Sequence, residues 1–186
     1  MPEFTLTSAP PLAGINKAYG DMELSAPDDV AIVSIALPLG GEDAALRAVK
    51  SAYGVAMPAV GKTATSKNGE TLMRLSTDLA FVVFTHTTPD AEPVVAGKMK
   101  GKAYTTDQTD VWCALQLDGP GAMRALERIC PLDLKGFAIG DVARTAMEHL
   151  GTIIMRTDTN GWRLLSASSS AGSFLHAVET SIKNVS

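Results

Sequence analysis

One segment of this sequence occurs twice in related form. KTATSKNGETLMR, starting at Lys62, and RTAMEHLGTIIMR, starting at Arg144, stand 82 residues apart. They agree at Thr63/Thr145, Ala64/Ala146, Gly69/Gly151, Met73/Met155 and Arg74/Arg156. Upstream, Ala45 and Leu46 are matched by Ala125 and Leu126 at an offset of 80, so two residues are gained between helix and strand. A chain of 186 residues holds two such copies, too few for a solenoid, which needs at least three stacked units. Chance likeness between short apolar windows is the plainer explanation. Element order, turn position and residue identity recur together, however, and that favours duplication. The expected fold is therefore α+β, built from duplicated β-α-β-β-α units that pack face to face.

The apolar periodicity fills in those units. Residues 30–37 (VAIVSIAL) form a β-branched apolar run and predict a buried strand. Gly40 and Gly41 open a helix over 42–53. Glu42 and Asp43 sit in its first turn, favourable for the dipole, and Ala45, Val49 and Ala52, with Leu46 beside them, give an apolar stripe. Gly54 stops it. Strands follow over 71–75 and 79–85 around a turn at 76–78, then a helical stretch within 89–100. The second copy repeats the order: a strand over 111–117 (VWCALQL), then a helix that Asp118 and Pro120 start as cap and first residue. Met123, Leu126 and Ile129 form its apolar stripe. Strands over 152–156 and 162–166 flank the TDTNG turn, and a last helix puts Phe174, Leu175, Val178 and Ile182 on one face. The division is residues 1–29 as an irregular arm rich in proline, 30–104 as the first repeat and 105–186 as the second. The arm nonetheless carries Phe4, Leu6, Leu12, Ile15, Tyr19, Met22 and Leu24, which must lie on this chain's body or in another's grooves.

Charge narrows the function. Charged residues are 19% of the chain, below the usual share of about 25%, and hydrophobic residues are 46%. That balance fits a surface partly covered by a partner. A net charge of −4 without a recurring basic stripe argues against nucleic acid; Lys98, Lys100 and Lys102 read as a solvated loop. No apolar run approaches the roughly 20 residues of a membrane span. The opening MPEFTLTSAPPLAG has no basic region followed by an apolar one, so no secretory leader is expected. Cys113 and Cys130 make no CxxC pair, which suggests reduced thiols and a cytoplasmic setting.

Motifs for catalysis are missing. His86, His149 and His176 show no metal-binding spacing, and GxSxG, P-loop and GxGxxG patterns do not occur. GKTAT at 61–65 superficially matches the end of a P-loop, but the upstream glycine is replaced by Ala56. Asp107, Asp110, Asp133 and Asp141 offer an acid–base pair, although turn and cap roles explain them more simply. No catalytic, cofactor-binding or metal-binding residue is assigned to this chain.

The stretch CPLDLKGFAIGDVARTAMEHLGTIIMR (130–156), followed by GWRLLSASSSAGSFLHAVETSI (161–182), resembles the C-terminal half of sarcosine oxidase gamma subunits. The resemblance runs through the Cys-Pro-Leu-Asp-Leu segment from Cys130, the Arg144–Thr145 pair and the serine–alanine turn at 169–171. TTDQTDVWCALQLDGPGAMRAL (105–126) is similar to the strand–Gly-Pro–helix segment of glycine-cleavage T-protein relatives, and PPLAG (10–14) to the opening of gamma subunits. The resemblance implies a fold like the T-protein folate-binding domain. It also implies a non-catalytic place in a complex with alpha, beta and delta subunits, mainly alpha. Such complexes oxidatively demethylate sarcosine to glycine, with FAD, FMN, NAD and tetrahydrofolate expected on the partner subunits.

Two other readings follow from the same likeness. A stand-alone folate-dependent aminomethyltransferase needs a carboxylate for the pterin and a base for the folate tail, for which Asp133 and Arg144 are the candidates. The folate-binding iron–sulfur assembly proteins carry a Lys-Gly-Cys signature, whereas here Cys130 lies between Ile129 and Pro131. Fold alone does not transfer either function.

Overall fold

The computed structural model describes residues 9–87 and 89–186. The arm holds a hairpin, β1 (Asn16–Tyr19) and β2 (Met22–Ser25). The first repeat runs β3 (Val30–Ala36), α1 (Glu42–Tyr53), β4 (Thr63–Thr65), β5 (Thr71–Arg74), β6 (Leu79–Thr85) and α2 (Ala91–Met99), and β7 (Tyr104–Asp107) leads into the second. The second runs β8 (Trp112–Asp118), α3 (Ala122–Leu126), β9 (Val142–Met147), β10 (Leu150–Arg156), β11 (Gly161–Ala167) and α4 (Ala171–Lys183).

Both repeats therefore carry one strand more than expected, β-α-β-β-β-α. The added strands, β4 and β9, are three and six residues long and pair with β5 and β10. The arm is not irregular throughout either. Met22 and Leu24 alternate with exposed residues in β2 and enter the core, while Gly20 (φ 61°) makes the tight turn between the two strands.

The strands form two sheets, ordered β1-β2-β8-β11-β10-β9 and β4-β5-β6-β3-β7. Val30 and Trp112 begin the central strands 82 residues apart, and Leu79 and Gly161 begin β6 and β11 at the same offset. The leading strands exchange partners: β2 precedes β3 in sequence yet pairs with β8, and β7 precedes β8 yet pairs with β3. Each repeat thus completes the other's sheet.

Four layers result. Ile32, Met73, Phe81 and Val83 of one sheet meet Val142, Ile153, Met155 and Leu165 of the other in a central seam. On the far side of the second sheet, Val33, Ile35, Leu72 and Val82 pack against Val49 and Tyr53 of α1 and Val95 and Met99 of α2. Leu115, Leu117, Trp162 and Leu164 similarly pack against α3 and α4. Both faces of β3 are covered, which is why its sequence is an unbroken apolar run. Phe174, Val178 and Ile182 bury the inner face of α4, each contributing about 1.5–3 kcal/mol.

Local chemistry accounts for the helix boundaries. Gly54 (φ 71°) ends α1 by donating to Lys50 O at 3.0 Å, and Tyr53 rather than Ala52 completes the buried face after Ala45 and Val49. Pro93 is tolerated in α2 because it lies in the first turn, where its missing N–H has no helical partner. Asp118 and Pro120 do not start α3: Asp118 ends β8, and Gly121 precedes the helix at Ala122. The Gly-Pro-Gly segment instead makes room for the arm. A Cβ on Gly119 (φ 124°) would stand 2.1 Å from Asp21 O, and one on Gly121 would stand 2.9 Å from Asp21 Oδ1.

Two type II-like turns face each other where the free edges of β4 and β9 meet. Lys62 N donates to Ala59 O at 3.0 Å with Gly61 at φ 78°; Asp141 N donates to Ala138 O at 3.0 Å with Gly140 at φ 86°. The bonds across the junction are reciprocal, Thr63 N to Gly140 O (2.8 Å) and Val142 N to Gly61 O (3.0 Å), the signature of an internal two-fold relation. Lys62 and Asp141 occupy equivalent places and form an ion pair.

This junction corrects the repeat register. Thr63 lies opposite Met73 and Val142 opposite Met155, so β4 and β9 match at an offset of 79 and not 82. Five residues, 66–70, separate the paired ends Thr65 and Thr71, whereas β9 and β10 run on to a two-residue turn at Glu148 and His149. Met73/Met155 and Arg74/Arg156 are true equivalents. Thr63/Thr145, Ala64/Ala146 and Gly69/Gly151 are coincidences of sequence.

Candidate functional site

The two central strands place Val30 and Ile32 of β3, and Trp112 and Ala114 of β8, on faces that look across the seam. At one end side chains do not close that seam, and a cavity of about 180 Å³ remains. Its rim is acidic, with Asp28, Asp107 and Asp110, and His86 stands beside them. The short 3-10 turn Thr109–Val111 is held by one bond to β3 and one to the end of β7. Ile32 N donates to Thr109 Oγ1 at 3.1 Å, and Thr109 N donates to Asp107 Oδ1 at 2.8 Å. Trp112 and Phe81 meet edge to face with centroids 5.8 Å apart, and the buried Trp112 indole N–H meets no acceptor among the described residues.

Gln116 follows Trp112 and Ala114 on the same face of β8, opposite Arg163 of β11. Arg163 Nε donates to Gln116 Oε1 at 3.3 Å, and Gln116 Nε2 donates to Asp118 Oδ1 at 2.9 Å and Thr157 Oγ1 at 3.1 Å. Burial lowers the Arg163 pKa, against the opposing pull of Asp118 and Asp29. The network satisfies an otherwise costly charge between the sheets, a structural role.

Size limits what the cavity does. About 180 Å³ lies below the roughly 300–1,000 Å³ of ordinary cofactor and ligand sites. A flavin, or a pterin with its glutamyl tail, needs more room than this cavity encloses; the open groove beside His176 is larger, about 360 Å³. Neither cysteine borders the cavity: Cys113 and Cys130 are buried elsewhere in the helix-facing core, and burial pushes both thiols up. Among the described residues no three potential ligands cluster as a metal site, and no helix is long and apolar enough to cross a membrane.

The candidates from sequence disperse. Asp107 and Asp110 reach the cavity rim, but Asp133 caps the turn at Leu134–Gly136 and Asp141 accepts from Ala138 N at 3.0 Å while pairing with Lys62. Arg144 lies on the seam side of edge strand β9, its guanidinium 5.9 Å from the Phe81 ring centre. Asp133 and Arg144 therefore belong to different faces of the sheet. The GKTAT stretch is the junction turn and β4, with Lys62 engaged by Asp141. His86 Nε2 lies 2.9 Å from Asp90 Oδ1, His149 sits in the β9–β10 turn at φ 67°, and His176 is exposed on α4 beside a shallow groove.

Sequence reasoning missed Asp28 and Trp112, because four separate segments build the cavity and no local motif joins them. It also missed a legible signal. PAVGK (58–62) and FAIGD (137–141) are the two junction turns, and each leaves a β-branched tip in solvent, Val60 at 49% and Ile139 at 59% exposure. Behind each turn an arginine is clamped identically. Arg74 donates from Nε, Nη1 and Nη2 to Ser76 O, Pro58 O and Thr77 O at 3.3, 3.2 and 2.7 Å. Arg156 donates in the same order to Asp158 O, Phe137 O and Thr159 O at 3.2, 2.6 and 2.7 Å.

No family model matches the chain. In sequence it is similar to sarcosine oxidase subunit gamma of Corynebacterium sp. (strain U-96), with 28% identity over 122 residues. The match takes in 63% of this chain and spans 59% of that relative's length. In fold it is similar to a chain of the heterotetrameric sarcosine oxidase from Corynebacterium sp. U-96 in complex with pyrrole 2-carboxylate. There the TM-score is 0.77 at 22% identity, covering 91% of this chain and 87% of the other. It is also similar to the glycine cleavage system aminomethyltransferase T from Bartonella henselae, with TM-score 0.64 at 13% identity over 85% of this chain and 45% of that one. The α+β architecture expected from the T-protein resemblance is the architecture found.

Proposed function

We propose that this chain is the gamma subunit of a heterotetrameric sarcosine oxidase, a complex that oxidatively demethylates sarcosine to glycine. The observation that carries the reading is the 28% identity over 122 residues with a sarcosine oxidase subunit gamma. The chain's part is structural. The cavity at the end of the seam is smaller than a flavin or folate site, the thiols are buried and hard to ionise, and the half-buried Arg163 serves a network between sheets. The chemistry belongs to the alpha, beta and delta partners, which hold FAD, FMN, NAD and tetrahydrofolate, and alpha is the main partner of this chain. No residue of this chain is matched to those groups, so no reaction step is assigned to it.

The aminomethyltransferase reading has the fold in its favour but not the site, since its candidate carboxylate and base, Asp133 and Arg144, lie on different faces. Co-expression with the partner subunits tests the proposal. The expected outcome is a purified complex that oxidises sarcosine and contains this chain, while the chain alone shows no flavin absorbance. Stoichiometric flavin in the lone chain, or aminomethyl transfer by it, contradicts the reading.

A further inference from the structure

We propose that the outer edge of β7 is a strand-docking site, at which an extended segment of a partner subunit pairs antiparallel as a sixth strand of the second sheet. The proposal rests on the subunit reading above and deepens it. The internal duplication marks the slot. In the first sheet β2 lies outside β8 and is covered in turn by β1; in the second, β7 lies outside β3 and pairs with no further strand among the described residues. The positions correspond residue by residue, Leu24 standing opposite Leu117 and Thr105 opposite Ile35.

The edge is chemically prepared for a strand. Gln108 N donates to Ile32 O at 2.8 Å, and the antiparallel alternation turns Thr106 and Tyr104 toward β3. It leaves the N–H and C=O of Thr105 and Asp107 facing outward, a ready template for pairing. Tyr104, at the start of the strand, is 69% exposed.

The helix beside the slot differs from its counterpart in an informative way. Lys17 Nζ and Tyr19 OH fasten β1 to Glu179 Oε1 on α4, at 2.6 and 2.8 Å. The buried residues Ala91, Val95 and Met99 of α2 match Phe174, Val178 and Ile182 of α4, which sets Ala96 where α4 carries Glu179. Gly97 follows, and a Cβ added there meets nothing within 4 Å. Ala96 and Gly97 make this part of the flank short and apolar, and one turn earlier Glu92 accepts from Thr105 Oγ1, so the slot suits small apolar side chains beside one polar contact.

Charge specifies the ends. Exposed Lys100 and Lys102 precede β7, and exposed Asp107 and Asp110 close it. An antiparallel strand that matches this edge carries a basic residue near its start, an apolar residue beside Tyr104 and an acidic residue near its end. A second copy of β7 offers the same order of charge. Its four residues, however, fall far short of the roughly 20–30 residues a side of a stable dimer, whereas a partner's strand extends a larger contact.

Hydrogen–deuterium exchange on this chain, purified alone and co-purified with the other oxidase subunits, tests the proposal. The amides of Thr105 and Asp107 are expected to exchange at least about tenfold more slowly in the complex, with Thr106 protected in both samples. Thr105→Pro, which removes an outward N–H and no bond to β3, is expected to weaken capture of the partner subunits roughly tenfold, and Thr105→Val to preserve it. A complex in which Thr105 and Asp107 exchange as fast as in the free chain overturns the docking site and leaves the subunit reading standing. Slow exchange at those amides in the lone chain, increasing with protein concentration, puts a second copy in the slot and overturns the partner. Failure of the wild-type chain to assemble with those subunits overturns both.

Discussion

Leu37 and Gly119 occupy the same place in the two halves of the molecule. Each follows a central strand, and each donates its backbone N–H to the next hairpin's turn: Leu37 to Asp78 O at 2.8 Å, Gly119 to Asn160 O at 3.0 Å. One is a large side chain and the other must be glycine, and the arm is the reason. The β1–β2 turn closes over Gly119 so tightly that a Cβ would meet Asp21 O at 2.1 Å and Met22 Cα at 2.8 Å. Among the described residues no hairpin reaches Leu37. The same duplicated frame is thus sealed at one edge by the β1–β2 hairpin, while at the other no described strand lies beyond β7. Equivalent positions have diverged in step with what covers them.

Gly119→Ala breaks this comparison most severely. It adds a backbone clash at a left-handed φ of 124°, and the expected cost is about 2–4 kcal/mol. Leu37→Ala, at the same place in the other half, is expected to cost about 1 kcal/mol. Urea unfolding of both variants checks the pair; equal losses contradict the claim that the hairpin dictates the glycine.

Next come the clamped arginines. Removing either as Arg→Met forfeits three bonds from a charged donor, an expected loss of about 1.5–3 kcal/mol. Arg156 also stands 5.4 Å over the Trp162 ring, while the position equivalent to Trp162 is Ala80. Arg156→Met is therefore expected to cost more than Arg74→Met by roughly 0.5–1 kcal/mol. A reversed order in thermal denaturation shows that the ring contact is not what separates the two.

The arm's attachment to α4 gives a pH signature that the open edge lacks. Burial and the bond to Glu179 raise Tyr19 to about 12 from 10.0. A folded pKa above the unfolded one means stability present below pH 10 and lost as pH rises toward 12. Glu179 is shifted the other way: Lys17 holds its carboxyl below the usual 4.5, so its contribution is present above that pH and lost as pH falls through the depressed value. Tyr19→Phe is expected to flatten part of the alkaline limb of a stability–pH curve and, because the Tyr19 hydroxyl also helps hold Glu179 down, to weaken the acid limb only in part, with Lys17 still in place. An unchanged alkaline limb shows that the hairpin is not held through this phenol.

The smallest effect is expected at the junction. Lys62 and Asp141 occupy two-fold equivalent positions, so Lys62→Asp sets two carboxylates against each other and costs about 0.2–1 kcal/mol. The double variant K62D/D141K restores the pair with its polarity reversed. Failure of the double variant to recover stability argues against the internal two-fold relation.

Much of this fold was legible in the sequence because its strands and helices are set by local apolar pattern. The runs at 30–37 and 79–85, the stripe of α4 and the stop at Gly54 all behave as their periodicity predicts. The strand added to each repeat escaped because TAT and VARTAM carry exposed residues at a sheet edge, where pairing and not burial defines a strand. The β1–β2 hairpin was hidden for a different reason. Its Met22–Leu24 alternation is too short to outweigh the surrounding prolines and glycines, and its partner β8 lies some ninety residues on. Three of the five identities first aligned between the repeats proved accidental, since a longer β9–β10 hairpin shifts the register there. The cavity was legible only in Asp107 and Asp110, because Asp28, His86 and Trp112 join them through tertiary packing alone.

The central claim is that this chain is a structural member of an oxidase whose flavins lie on other chains. Native mass spectrometry of the complex assembled by co-expression tests it most directly. One copy of this chain is expected beside each alpha, beta and delta chain, and on collisional release it is expected to leave as a bare polypeptide with the flavin masses retained by the remainder. A chain that never appears in the assembly, or that departs carrying flavin, contradicts the account.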